Sequence, residues 1–247
     1  KSFFNYDLSS FNQNRKNKYF KSKNINFVVN STWMEHMAKK SSLLKNETIH
    51  TFFPSFDLKN YFSDIDYKFK SNLNISHNKK IILLGAQNIE AKYKGFDYFL
   101  KSLDYLDKSK YFIIFFGHFW NEDLIKKKKI EYLKLGFLKD QKVLRKIYSI
   151  ADIFVACSIQ EGFPKTVAES LLCNTPVVFF KNTSIEDVCK SKRIGGYGAD
   201  YLNSKDLAEG IKWISENPNH SKILAQKGAD EIISKFNSEI LIKNYIN

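Results

Sequence analysis

"IFVACSIQEGFPKTVAESLLC", Ile153 to Cys173, decides the reading of this chain. Its first six residues form a short apolar run of strand length, and "FPKTVAESLLC" has helical spacing. Pro164 suits a first helical position, where its missing N–H costs nothing. From it, Pro164, Val167, Ala168, Leu171 and Leu172 fall on one stripe, which predicts a core-facing side. The helix should stop near Asn174, which tolerates the left-handed cap conformation. A buried strand running through a tight turn into an amphipathic helix is half of a βαβ unit.

The same alternation extends outward in both directions from about Lys79. "KIILLGA", "YFIIFFG", "IEYLKLG", "IFVACS" and "PVVFF" read as strands. "FDYFLKSLDYL", "KVLRKIYSIAD" and "KDLAEGIKWISEN" read as helices, the last halting before Pro218. Apolar strands alternating with amphipathic helices predict an α/β fold, a Rossmann-like doubly wound parallel sheet covered on both faces. Ligand should lie over the carboxyl ends of its strands. Gly85, Gly117, Gly136 and the segment after Ser158 fall at such ends. Expected boundaries are 79–230 for this domain, 61–78 for a polar linker and 231–247 for a C-terminal helix. Residues 1–60 offer one strand ("NINFVVNS"), one helix ("TWMEHMAKKSSLL") and an extended piece broken by Pro54, too little to bury a core alone.

Composition excludes several classes. Hydrophobic residues make up 43% and aromatics 15%, so the chain is not disordered. No stretch approaches the roughly 20 apolar residues of a membrane span, and no signal pattern is present, so a cytoplasmic fragment or truncated chain is expected. Cys157, Cys173 and Cys189 form no CxxC or Cys/His pair, which leaves buried hydrophobes or surface thiols. The 39 Lys+Arg against 26 Asp+Glu give +13. The lysines are scattered rather than striped, so nucleic acid is not an expected partner.

The turn and helix carry the chemistry. Free N–H groups and the positive end of the dipole at a helix N-terminus bind phosphate, and Lys165 adds a mobile charge. Glu169, one turn in, can accept two hydrogen bonds from a ribose diol, and Glu161 at the lip can reach the group beyond the phosphates. Together they describe a site for a nucleoside-diphosphate sugar. Residue by residue the alternatives stay open: Lys165 and Glu169 as an i,i+4 surface pair, Glu161 as an ordinary loop carboxylate.

The stretch "YLKLGFLKDQKVLRKIYSIADIFVACSIQEGFPKTVAESLLCNTPVV" closely resembles the donor-binding domain of the retaining glycosyltransferases of family four. These have two-domain GT-B architecture and an E-x7-E motif at this place. The resemblance runs from about Asn26 to the C-terminus. It implies that Glu161 contacts the donor sugar as a catalytic residue and that Glu169 holds the ribose. It implies that Gly162, Phe163, Pro164, Lys165 and Thr166 bind sugar hydroxyls and diphosphate, largely through backbone. Lys94, in "KYKGF", matches the lysine that neutralises the donor phosphates, and Gly136, Phe137 and Leu138 match the backbone beside the base. His118 reads as a packed or rim histidine.

Three departures accompany the resemblance. Ala86 stands where many relatives have arginine, Asn182 and Thr183 replace a glycine-rich turn, and residues 1–60 match only the end of the N-terminal acceptor domain. Pro54-Ser55-Phe56-Asp57 stands in a shortened inter-domain linker. The implied reaction is transfer of a sugar from a nucleotide-diphosphate sugar to an acceptor hydroxyl with retention, in surface polysaccharide or glycan biosynthesis, without metal or other cofactor. The implied partners are the donor and a glycan or lipid-linked acceptor. The basic charge allows peripheral contact with an anionic membrane at its inner face. The rival reading is a non-catalytic nucleotide-sugar-binding fragment that lacks its acceptor domain.

Overall fold

A computed structural model describes residues 8–21, 25–55, 58–238 and 241–242. It divides at Pro54/Ser55 into two compact units. The first holds α1 (Leu8–Lys21), β1 (Phe27–Val29), α2 (Thr32–Lys40) and β2 (Ile49–Thr51). β1 and β2 pair in parallel with Phe27 opposite Ile49, so the piece expected only as extended supplies a second strand. Ser31 caps α2 by accepting the Met34 N–H at 3.1 Å. The Thr51 hydroxyl donates to Glu35 at 2.6 Å and ties α2 to β2. α1 has too few apolar residues for a stripe, and sequence periodicity does not reveal it.

The second unit contains α3 (Tyr67–Asn72), β3 (Lys80–Asn88), α4 (Phe96–Ser102), β4 (Tyr111–His118), α5 (Asp123–Lys126), β5 (Glu131–Lys134), α6 (Gln141–Ile150), β6 (Ile153–Ala156), α7 (Lys165–Leu172), β7 (Val177–Phe180), β8 (Gly196–Ala199), α8 (Ser204–Glu216) and α9 (Pro218–Lys235). Its six strands are parallel in the order β5-β4-β3-β6-β7-β8. Counting from β3, that is the doubly wound order in which the chain reverses direction across the sheet between the first and fourth strands, here β3 and β6. Ile81, Ile82 and Leu83 of β3 and Ile113, Ile114 and Phe115 of β4 are fully buried, because helices cover both faces. One face carries edge-to-face contacts among Phe96, Phe99 and Phe115. On the other, Tyr148 of α6 meets Phe116 and Phe154, each at 5.6 Å.

Residues 61–78, expected as a linker, are packed instead. Tyr61 is buried, Arg145 pairs with Asp64 at 2.9 Å and lies over the Phe62 ring, and Lys146 pairs with Asp66 at 2.8 Å. The polar residues that suggested a linker are used in pinning it to α6. β8 and α9 were also hidden. The glycines of "GGYGA" mask the strand, and Gly228 masks the helix, although it is a contact point: a Cβ there would come 2.9 Å from Leu171 of α7. α8 does halt before Pro218, which then opens α9. The expected boundary at 230 therefore falls inside α9. Phe56 and Asp57 of the expected inter-domain linker, and residues 239, 240 and 243–247 of the expected terminal helix, lie outside the described residues.

Candidate active site

Two loops leave the sheet at the reversal between β3 and β6, and they are joined to each other. After β3 a tight turn over Lys92–Lys94 ends at Gly95, whose φ of 68° lies in the left-handed region. A Cβ at Gly95 would stand 2.0 Å from the Cys157 carbonyl oxygen. Only glycine lets the turn approach the end of β6 this closely. The Ile159 N–H then donates to the Tyr93 carbonyl at 2.7 Å, and the Cys157 thiol to the Lys94 carbonyl at 3.3 Å.

This clamp brings Lys94 to Glu161. The ammonium donates to Glu161 Oε2 at 2.5 Å, and the Ser158 hydroxyl donates to the same oxygen at 3.1 Å. The pair sits in a cleft also lined by Gly85, Ala86, Pro164, Thr166 and Val167.

α7 starts one residue later than its spacing predicts: Pro164 is the N-cap and Lys165 the first helical residue. Pro164, Val167, Ala168, Leu171 and Leu172 are all buried as expected, and Asn174 takes the left-handed conformation past the end, with φ 58°. The N-terminus is only partly free, because the Lys165 N–H donates to the Phe163 carbonyl at 2.9 Å. No described hydrogen bond engages the N–H groups of Thr166 and Val167, and both residues line the cleft. The Phe163 ring is buried against Phe236 at 5.2 Å and anchors the loop to the core. Its side chain is therefore spent on packing. Gly162 is half-buried and Lys165 exposed.

Glu169 lies one turn into α7, outside the lining of the cleft, and is partly exposed. No ion pair joins it to Lys165 among the described residues. It accepts instead from the Tyr148 phenol at 3.0 Å. Burial pushes its carboxyl above the usual 4.5, opposed by hydrogen bonds from Tyr148 and Tyr61 and by the charge of Lys165. Burial, and then the charge of Glu169, hold the Tyr148 phenol well above its ordinary value. Burial also pushes the Cys157 and Cys173 thiols up to about 12, and all three cysteines are buried rather than superficial.

Gly136, Phe137 and Leu138 follow β5 at the same edge of the sheet, outside the Lys94–Glu161 cleft. Gly136 has φ 68°, and its carbonyl accepts the Gly117 N–H at 2.7 Å. Leu138 is half-buried, while Phe137 is exposed and stacks on His118. His118 is thus an exposed stacked ring at the rim. Sequence reasoning passed over Ser158 and Tyr148. Tyr148 reads as core from its place on the helical stripe, and nothing local shows that its hydroxyl meets Glu169.

In place of a glycine-rich turn after β7, Asn182 takes a left-handed conformation and Thr183 closes the loop through its hydroxyl. Among the described residues no group of three or more His, Cys, Asp or Glu is placed to hold a metal ion. No helix there is long and apolar enough to cross a membrane.

The family described as "Glycosyl transferases group 1" matches residues 64–231, more than half of the sequence, and the chain belongs to that family. It is 27% identical over 181 residues to N,N'-diacetylbacillosaminyl-diphospho-undecaprenol alpha-1,3-N-acetylgalactosaminyltransferase of Campylobacter jejuni, covering 72% of this chain and 46% of that protein. The chain thus spans about half the length of the curated relative it matches. Among solved structures it is similar to sucrose-phosphate synthase from Thermosynechococcus elongatus, with TM-score 0.80 and 17% identity over 98% of this chain and 63% of that one. It is also similar to Anabaena Alr3699/HepE in complex with UDP-glucose, with TM-score 0.76 and 15% identity over 97% and 68%. These likenesses establish the fold, the Rossmann-like domain of GT-B glycosyltransferases.

Proposed function

We propose that this member of the group 1 glycosyl transferases carries the donor side of a retaining sugar transfer of the family-four type. The donor is a nucleoside-diphosphate sugar and the acceptor a hydroxyl of a glycan or lipid-linked glycan in surface polysaccharide assembly. The observation that carries this reading is the Lys94–Glu161 pair at the sheet's reversal, beside the N–H groups of Thr166 and Val167, which no hydrogen bond engages among the described residues. A cation and open amides at one end of a cleft suit a diphosphate, and a carboxylate at its lip suits the hydroxyls of the attached sugar. HepE was solved with UDP-glucose, and the Campylobacter enzyme's name places its acceptor on undecaprenol diphosphate; both agree with the reading.

In this scheme the donor phosphates draw the Lys94 ammonium from Glu161, and Glu161 turns to the sugar. Lys94, Lys165 and the α7 amides stabilise the charge that develops on the diphosphate as the glycosidic bond lengthens. Resident metal has no part in the scheme. Glu169, steadied by Tyr148, receives the ribose hydroxyls. A location at the inner face of a membrane would suit a lipid-linked acceptor and the basic charge. Titration calorimetry with nucleoside diphosphates tests the site. Micromolar-to-millimolar binding is expected, falling at least ~tenfold in Lys94→Ala. Equal binding by the variant overturns the assignment.

A further inference from the structure

Residues 61–67 are arranged inside out. Asp64 and Asp66 turn toward α6, where they pair with Arg145 at 2.9 Å and Lys146 at 2.8 Å. Ile65 and Tyr67, which alternate with them, are 40% and 77% exposed, and Phe62 is 48% exposed. Side chains of an extended segment alternate between two sides, and here the acids hold the inner one. Burial by itself favours the reverse, since apolar side chains gain from leaving water.

Specific contacts fix this orientation. Tyr61 is buried, the Asp64 N–H donates to the Ser149 hydroxyl at 2.9 Å, and Asp66 caps α3 by accepting the Phe69 N–H at 2.8 Å. The Arg145 guanidinium lies 4.1 Å from the centre of the Phe62 ring and holds it at the surface.

The charge around the patch is positive. The two aspartates are neutralised by their partners. Lys68 and Lys70 follow in α3, and Lys142 lies one turn before Arg145 and Lys146 on the same side of α6. None of these three lysines is in an ion pair among the described residues. The acid next in sequence to them, Asp140, accepts the Lys142 N–H as the cap of α6.

We propose that Phe62, Ile65 and Tyr67 dock this chain on an anionic lipid surface, entering the headgroup boundary while Lys68, Lys70 and Lys142 meet the negative headgroups. Tyrosine, with an apolar body and a polar tip, suits that depth. Apolar area beside cations is the combination that holds peripheral proteins on such bilayers. The proposal rests on the lipid-linked acceptor reading above and adds the face that meets the membrane. The segment begins at Tyr61, which hydrogen-bonds Glu169, so the lipid surface adjoins the carboxylate assigned to the ribose.

Cosedimentation with phosphatidylcholine vesicles, with and without phosphatidylglycerol, tests it. The chain should bind only the vesicles that contain phosphatidylglycerol. Ile65→Ser/Tyr67→Ser should weaken binding by about tenfold or more, and Lys68→Gln by about fivefold, the loss of one surface cation. Lys127→Gln/Lys129→Gln, in the lysine run outside the patch, should weaken it less than Lys68→Gln alone. All these side chains are exposed, and an unchanged melting temperature verifies the fold of each variant. Equal losses for the two sets of lysines would mean attraction by net charge alone and overturn the patch. Undiminished binding by Ile65→Ser/Tyr67→Ser, or no binding to either vesicle, also overturns it. So does self-association of the unaltered chain that the double variant abolishes, which would assign the patch to a second copy. Calorimetry with a nucleoside diphosphate separates the two readings. Donor binding without vesicle binding removes the docking face alone, and vesicle binding without donor binding removes the donor site alone.

Discussion

The Lys94 ammonium and the Glu161 carboxylate, 67 residues apart in sequence, lie 2.5 Å apart at the point where the sheet reverses. Each side chain is about four-fifths buried, so each is the other's principal counter-charge. In the proposed scheme a donor enters between them. Its phosphates would then compete with Glu161 for Lys94, and its sugar would offer Glu161 hydroxyls in exchange.

That competition has a measurable consequence. Glu161→Gln removes the carboxylate that both holds Lys94 and repels an incoming anion. A sugar-free nucleoside diphosphate should bind this variant about three- to tenfold more tightly than the unaltered chain. Calorimetry at low ionic strength reads the difference. Weaker binding, of the kind expected for Lys94→Ala, would mean that the two charges do not oppose each other in this way.

Gly95 is the hinge of the arrangement. Gly95→Ala must place a side chain at φ 68° and within 2.0 Å of the Cys157 carbonyl oxygen. Left-handed backbone costs a non-glycine residue about 1–3 kcal/mol, and the overlap adds to that. A loss of about 3 kcal/mol in urea unfolding is expected, together with weaker nucleoside-diphosphate binding as the two loops separate. A variant as stable as the parent would show that the approach of the loops is not required.

Glu169 is expected to trade stability for binding. Its carboxyl is raised by burial, so between 4.5 and the raised value the folded chain holds a proton that the unfolded chain has released. The stability owed to this group is complete below 4.5 and is lost as pH rises through the folded value. At neutral pH the charged, partly buried carboxylate is a cost. Glutamine still accepts the Tyr148 phenol without that charge. Glu169→Gln should therefore melt higher at pH 7, with the difference closing near pH 4, while nucleoside-diphosphate binding weakens. A lower melting temperature at pH 7 would contradict this account.

The fold was legible wherever burial is written as local periodicity. The apolar runs of β3, β4, β6 and β7 and the stripe on α7 needed no tertiary information, because a strand covered on both faces and a helix covered on one have different spacings. Strands of glycine, such as β8, and the pinned segment 61–78 have no such pattern. Their places come from close backbone approach and from ion pairs with α6.

By itself the sequence determined the alternating α/β plan, the strand-turn-helix around Glu161 and the candidate cations, since these depend on neighbours within a few positions. Only the tertiary structure decided that Lys94 meets Glu161, that Tyr148 lies under Glu169, and that His118 is sandwiched between Trp120 and Phe137. Each of these contacts joins segments that strand order and one left-handed glycine turn bring together. Strand order is set by the packing of the whole sheet, which no local spacing encodes.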